Sequence, residues 1–249
     1  MTIEQFFREN RKIAIAFSGG VDSAYLLYAA RKAGADTRAY YVKTEFQPQF
    51  ELDDAMRLAR ELDAPLRILE RDVLSIPSIS SNPPDRCYHC KRLIMDTIAK
   101  AAAADGYAII ADGTNASDDA SDRPGTRALK ELGIRSPLRE CSLTKDEIRR
   151  LSREAGLFTW DKSAYACLAT RIPSGEAIDR EKLAATEEAE DFLRSLGFSD
   201  FRVRLIAGCA RIQIRRSQYP LLLEKRTEIN NKLGELYKAV LLDMEARDE

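Results

Sequence analysis

The chain has 249 residues, 45% of them hydrophobic, enough to bury one large domain or one domain with a small appendage. Thirty-nine basic residues face 40 acidic ones for a net charge of -1, which excludes a polybasic field that would hold a long nucleic acid unselectively. No apolar run approaches the roughly 20 residues that span a bilayer, and Met1-Thr2-Ile3-Glu4-Gln5 lacks a basic stretch followed by an apolar one, so no membrane partner and a cytoplasmic location are expected.

From Lys12 to about Gly156, short apolar runs alternate with longer amphipathic ones, the pattern of a parallel sheet covered by helices. Strands are predicted at Ile13–Phe17, Ala39–Val42, Leu66–Leu69 and Ala108–Ala111. Helices are predicted near Tyr25–Ala33, Asp53–Leu62, Lys91–Ala103 and Arg127–Leu132.

The first strand runs directly into Ser18-Gly19-Gly20-Val21-Asp22-Ser23 and then into a helix. Two adjacent glycines let the backbone turn tightly and bring its N–H groups close to an anion, and the helix N-terminus adds favourable partial charge. Phosphate suits such a loop. Ser18 and Ser23 supply hydroxyl donors, and Asp22 is placed to help hold Mg2+ or to position the loop. No lysine follows the glycines, which separates this loop from the Walker type.

After the fourth strand comes Asp112-Gly113-Thr114-Asn115, then Asp118-Asp119 and Asp122-Arg123-Pro124-Gly125, expected at the sheet end that carries the first loop, where open α/β sheets bind ligands. Thr144 and Glu147 form a capping box for a helix with Ile148, Leu151 and Ala155 on one face and Gly156 after it, which marks a domain edge. Residues 157–178, with Trp160, Tyr165, Cys167, Pro173 and Gly175, show no period and are expected to connect two domains. Beyond them Asp179 caps a helix with Ala189, Phe192, Leu193 and Leu196 on one face, ended by Gly197. Alternation around Val203 and Ile212 gives two strands joined at Gly208; a helix around Leu221–Leu233 and a strand at Ala239–Leu242 complete a small α-β-β-α-β domain. The expected domains are thus 1–156, the connector 157–178, and 179–249.

Five cysteines without an export signal argue for thiols rather than a disulfide frame. Cys87-Tyr88-His89-Cys90 is a C-x2-C pair, and Cys167 stands alone in the irregular segment. Structural zinc needs four ligands, and His89 between the two cysteines is poorly placed to join both. Arg171, four residues after Cys167, is a candidate cation for a thiolate if the segment turns helically, and otherwise a solvated surface residue. Cys141 and Cys209 have apolar neighbours and read as core residues. Arg202 and Arg204 are expected to point outward from one strand face, either toward a substrate phosphate or into solvent.

The hexapeptide Ser18–Ser23 resembles the signature of the PP-loop ATP pyrophosphatases, the superfamily of NAD and GMP synthetases and tRNA thiolation enzymes. The resemblance implies ATP and Mg2+ as cofactors, cleavage of ATP between its α and β phosphates, and transfer of AMP onto a substrate oxygen. Asp112–Asn115, Ser136-Pro137-Leu138, Trp160-Asp161-Lys162-Ser163 and Ala166–Pro173 are together similar to the LarE family of sulfur transferases, over most of the chain. That resemblance implies a pyridinium mononucleotide substrate, a small molecule whose carboxylates become thiocarboxylates for a nickel-pincer nucleotide cofactor; a homo-oligomer is expected.

Two sulfur routes follow from it. In one, the cysteine matching Cys167 attacks the acyl adenylate and is left as dehydroalanine. In the other, Cys87, Cys90 and Cys167 hold a [4Fe-4S] cluster whose fourth iron carries a donor sulfide. An amidating ligase similar to NAD synthetase, a tRNA thiolation enzyme and a non-catalytic nucleotide-binding regulator are the competing readings.

Overall fold

The computed structural model describes residues 1–118 and 124–247. In chain order the helices are α1 (Ile3–Glu9), α2 (Val21–Lys32), α3 (Gln49–Glu61), α4 (Pro77–Ser80), α5 (Arg86–Ala104), α6 (Pro124–Glu131), α7 (Pro137–Glu140), α8 (Lys145–Glu154), α9 (Arg180–Ser195) and α10 (Tyr219–Gly234). The strands are β1 (Lys12–Ala16), β2 (Asp36–Lys43), β3 (Leu66–Glu70), β4 (Ile109–Ala111), β5 (Arg202–Ile206), β6 (Cys209–Gln213) and β7 (Val240–Leu242). Two compact units result: Met1–Val73 with Asp85–Lys162, and Leu74–Pro84 with Ser163–Glu249. Among the described residues no helix is long and apolar enough to cross a membrane.

The first unit is built on a four-stranded sheet in the order β3-β2-β1-β4, parallel throughout. The burial of β1 explains its central place: Ile13, Ala14, Ile15 and Ala16 are buried on both faces, as a strand covered by helices on both sides requires. One layer packs Ile13, Ile15, Ala39 and Tyr41 against Leu26 and Leu27 of α2 and Leu58 of α3; the other packs Ala14, Tyr40 and Val42 against Met95 and Ile98 of α5. The strand order reverses at β1, so the loops leaving β1 and β4 emerge side by side at the carboxyl end of the sheet, the crevice where such folds bind ligands. At the opposite end the Asp105 carboxylate accepts from Tyr40 at 2.7 Å and from Arg67 at 2.9 Å and pairs with Arg38 at 2.8 Å. These donors hold its pKa well below the usual carboxylate range.

Thr144 and Glu147 form the capping box of α8, and Gly156 follows at φ +71. The helix over the C-x2-C pair starts at Arg86, five residues before the expected Lys91, so both cysteines lie inside α5. Tertiary cover explains the extension: Arg86 is buried with its guanidinium over the Phe46 ring, which supports a first turn of weak sequence periodicity.

The second unit carries α9, β5, β6, α10 and β7 in the anticipated order. Its sheet runs β5-β6-β7, the first pair antiparallel and the second parallel. Ala207 and Gly208 both take positive φ, 50 and 81, which gives the two-residue hairpin the turn that matches strand twist. Asp179 caps α9 through the Lys182 amide. Leu74–Pro84 joins this unit through Asn82, whose side chain donates to the Pro173 carbonyl at 2.8 Å and whose carbonyl accepts from Gly175 N at 2.8 Å.

Candidate active site

The loop after β1 is shaped by close packing. Gly19 has φ +72, and a Cβ on it would sit 3.1 Å from the Ala55 Cβ, so only glycine satisfies both backbone and neighbour. Gly20 is the N-cap of α2 and supplies no capping side chain, which leaves the first-turn N–H groups open to an anion. The buried Ser23 hydroxyl donates to the Gly20 carbonyl at 3.2 Å and shares a 3.1 Å hydrogen bond with the exposed Ser18 hydroxyl. Ser18 Oγ also accepts from Gly20 N at 3.4 Å. Ser23 therefore braces the loop, and Ser18 presents a hydroxyl to solvent.

Asp22 lies in the first turn of α2, half-buried, with one oxygen 2.6 Å from Lys145 Nζ and the other accepting from Asn115 Nδ2 at 3.3 Å. Lys145 opens α8, where a cation opposes the helix dipole; the Asp22 carboxylate offsets that cost. Lys162 Nζ, on the other side, lies 2.7 Å from Asp54 of α3 and 3.5 Å from the Gly19 carbonyl. These two lysines bring to the loop the positive charge that the hexapeptide lacks. In the sequence Lys145 carries one signal, a lysine in a first helical turn, where acidic residues are favoured.

The Asp112–Asn115 loop packs against the same helix start. Asp112 is buried and accepts from the hydroxyls of Thr114 at 2.6 Å and Ser136 at 2.8 Å. A Cβ on Gly113 would lie 2.9 Å from Ser23 N and 3.2 Å from Asp22 Cβ, so the loop backbone is pressed onto the first turn of α2. Asn115 is buried and turns the chain by accepting from Ser117 N at 2.8 Å. Arg139 closes the loop, donating to the carbonyls of Asn115 at 3.2 Å and Asp118 at 2.8 Å. Asp119, Asp122 and Arg123 lie outside the described residues. Gly113→Ala is expected to displace the start of α2, raising the KM for an anionic ligand of the Ser18–Ser23 loop at least about tenfold by the sensitivity of catalysis to small misplacements. Steady-state kinetics beside a Gly234→Ala control, whose added Cβ meets nothing within 4 Å, would check it.

In α5, Cys87 and Cys90 stand three residues apart on one helix face, Cys87 exposed and Cys90 half-buried. Arg86 approaches the Cys87 sulfur at 3.7 Å. The single histidine, His89, has its Nε2 3.2 Å from Asp85 Oδ2. Among the described residues no group of three or more His, Cys, Asp or Glu side chains is gathered to hold a metal ion. Cys141 is partly buried against the main core, and burial pushes its thiol pKa up.

In the second unit Cys167 is the N-cap of a 3-10 turn, Leu168–Arg171. Arg171 is not solvated: it is 1% exposed, with Nε 2.7 Å from Glu190, and its charge interacts with Cys167. Arg202 corrects the expectation of an outward strand face. It is buried, donating to the Ala164 carbonyl at 2.7 Å and the Phe201 carbonyl at 2.6 Å, and lies over the Tyr165 ring. Burial, with Arg171 and Arg247 nearby, lowers its pKa to about 10. Arg204 is half-buried and donates to the Thr170 carbonyl at 2.9 Å.

No protein-family model matches the chain. Over 98% of its length the chain is 34% identical to the pyridinium-3,5-bisthiocarboxylic acid mononucleotide synthase of Lactiplantibacillus plantarum, covering 89% of that protein. The chain belongs to the LarE family. It is also 37% identical to an uncharacterized protein of Synechocystis, over 98% of this chain and 92% of the relative. A tRNA-specific 2-thiouridylase of Thermotoga neapolitana is 26% identical over 84% of this chain and 67% of its own length, a more distant relationship within the PP-loop superfamily. The parallel sheet and loop geometry of the first unit fit that superfamily, whose named relatives are enzymes, and this LarE-family chain is an enzyme as well.

Proposed function

We propose that the protein is an ATP-dependent sulfur transferase that converts a carboxylate of a pyridinium mononucleotide into a thiocarboxylate. The observation that carries this reading is the donor set around Ser18–Ser23: uncapped N–H groups at the start of α2, an exposed Ser18 hydroxyl, and Lys145 and Lys162 on either side. Such an array suits the β and γ phosphates of ATP. The similarity to the synthase of L. plantarum supports the choice of substrate.

In the proposed sequence the substrate carboxylate oxygen attacks the α phosphorus of ATP, and pyrophosphate leaves toward the loop. Asp22, paired with Lys145, would hold Mg2+, which would supply positive charge to the departing phosphates beside the Lys145 ammonium. The Cys167 thiolate then attacks the acyl adenylate carbon, the electron pair of the breaking C–O bond leaves with AMP, and a thioester forms. Loss of the Cys167 Cα proton with cleavage of its Cβ–S bond releases the thiocarboxylate and leaves dehydroalanine.

A [4Fe-4S] cluster needs three thiolates in one place. Cys87 and Cys90, at helical spacing in the first unit, and Cys167 of the second are the thiolates that would hold one, and it would supply a donor sulfide in place of the Cys167 sulfur.

The test is an anaerobic incubation with ATP, Mg2+ and the carboxylated pyridinium mononucleotide, reading iron content and intact protein mass. Thiolated product together with loss of the mass of hydrogen sulfide at Cys167 supports the proposal. Product with an unchanged protein mass and bound iron moves the sulfur source to a cluster, and no product from any pyridinium mononucleotide overturns the substrate.

A further inference from the structure

The second unit holds an arginine and a glutamate that are both 1% exposed, Arg171 and Glu190. A buried ion pair costs so much desolvation that an apolar pair of equal volume is often no less stable, so its presence asks for a geometric reason. The Glu190 carboxylate accepts four bonds: from Arg171 Nε at 2.7 Å and Val203 N at 3.0 Å on one oxygen, and from Tyr165 OH at 2.6 Å and the second Arg171 terminal nitrogen at 3.1 Å on the other. That grip orients the remaining guanidinium nitrogen, which donates to the Ala166 carbonyl at 3.0 Å and the Thr170 hydroxyl at 2.7 Å. Thr170 in turn donates its own hydroxyl to the Cys167 carbonyl at 2.8 Å. Arg202 holds the Ala164 carbonyl and Arg204 the Thr170 carbonyl.

Side-chain donors thus occupy the carbonyls of residues 164, 166, 167 and 170, in a segment with little regular secondary structure to satisfy them. We infer that Arg171, Arg202 and Arg204 form a backbone clamp that fixes the main chain on both sides of Cys167, with Glu190 as the positioning residue that holds the clamp together. The inference rests on the reading of Cys167 as the sulfur-bearing residue. The arginines act on protein carbonyls, and their effect on the reaction is to confine the sulfur to one approach.

Glu190→Gln keeps the side-chain shape but replaces one accepting oxygen with a donor, so the four-donor grip is lost. Hydrogen exchange of the full chain, read by mass spectrometry, follows the peptide covering residues 164–171 independently of any substrate. The expected result is exchange at least about tenfold faster in that peptide, with β1 and α2 peptides unchanged, on the scale of losing a charge-assisted hydrogen bond. Thiolated product should fall in parallel while pyrophosphate release continues.

Unchanged exchange in the folded variant overturns the clamp and leaves the Cys167 reading standing. Faster exchange with undiminished sulfur transfer overturns the positioning role. If wild-type protein yields no thiolated product, the functional reading fails, separately from the clamp. Arg204→Met, at a half-buried position, strands no buried carboxylate; it decides the question by the same exchange readout at Thr170 and Arg171 should Glu190→Gln not fold.

Discussion

Asp22→Asn protein is expected to release pyrophosphate at least about 100-fold more slowly than the wild type, on the scale of removing a transition-state electrostatic contact. The Asp22 and Lys145 side chains are 24% and 31% exposed, so their ion pair contributes only about 0–1 kcal/mol to stability. The thermal midpoint should therefore move by a few degrees at most while activity collapses. Asparagine keeps the size and one acceptor toward Asn115 but carries no charge for Mg2+, which isolates the electrostatic contribution. A malachite-green assay coupled to pyrophosphatase, run with substrate present, reads the result directly. A rate within a few-fold of wild type would remove the Ser18–Ser23 loop from the proposed phosphate chemistry.

Cys167→Ala separates the two half-reactions. Pyrophosphate and AMP formation should continue, because the loop, Asp22 and Lys145 belong to the first unit and Cys167 to the second. Thiolated product should fall below detection, since alanine offers no sulfur to attack the adenylate. Single-turnover mass spectrometry of the mononucleotide gives the answer. Cys87→Ser is the comparator: under the sacrificial route it retains one turnover of product, whereas under a cluster route it loses product with Cys167→Ala. Thiolation surviving in Cys167→Ala would overturn the assignment of that residue.

The chemistry-bearing loop was readable because it is local. Strand, Ser-Gly-Gly turn and helix follow one another without interruption, and the phosphate argument needs nothing from elsewhere in the chain. The same holds for the Thr144–Glu147 capping box, the Asp179 cap and the Gly208 hairpin, each set by contacts within a few residues. The start of α5 was harder, because its first turn lacks apolar periodicity and depends on Arg86 stacking over Phe46, forty residues away in sequence. The charges that flank the loop were harder still: Asp22 meets Lys145, and Gly19 meets Lys162, across separations no periodicity reports.

The sequence by itself determined the α/β class, the loop at the end of β1, the thiol inventory and the family, all of which depend on residue type and short-range spacing. Tertiary structure alone decided that Arg171 and Arg202 are buried and that Glu190 joins Arg171 to Val203 and Tyr165. It alone attached Leu74–Pro84 to the second unit. An arginine in an alternating strand reads as solvent-facing from its charge, and only partners distant in sequence can supply the carbonyls and carboxylate that make its burial affordable.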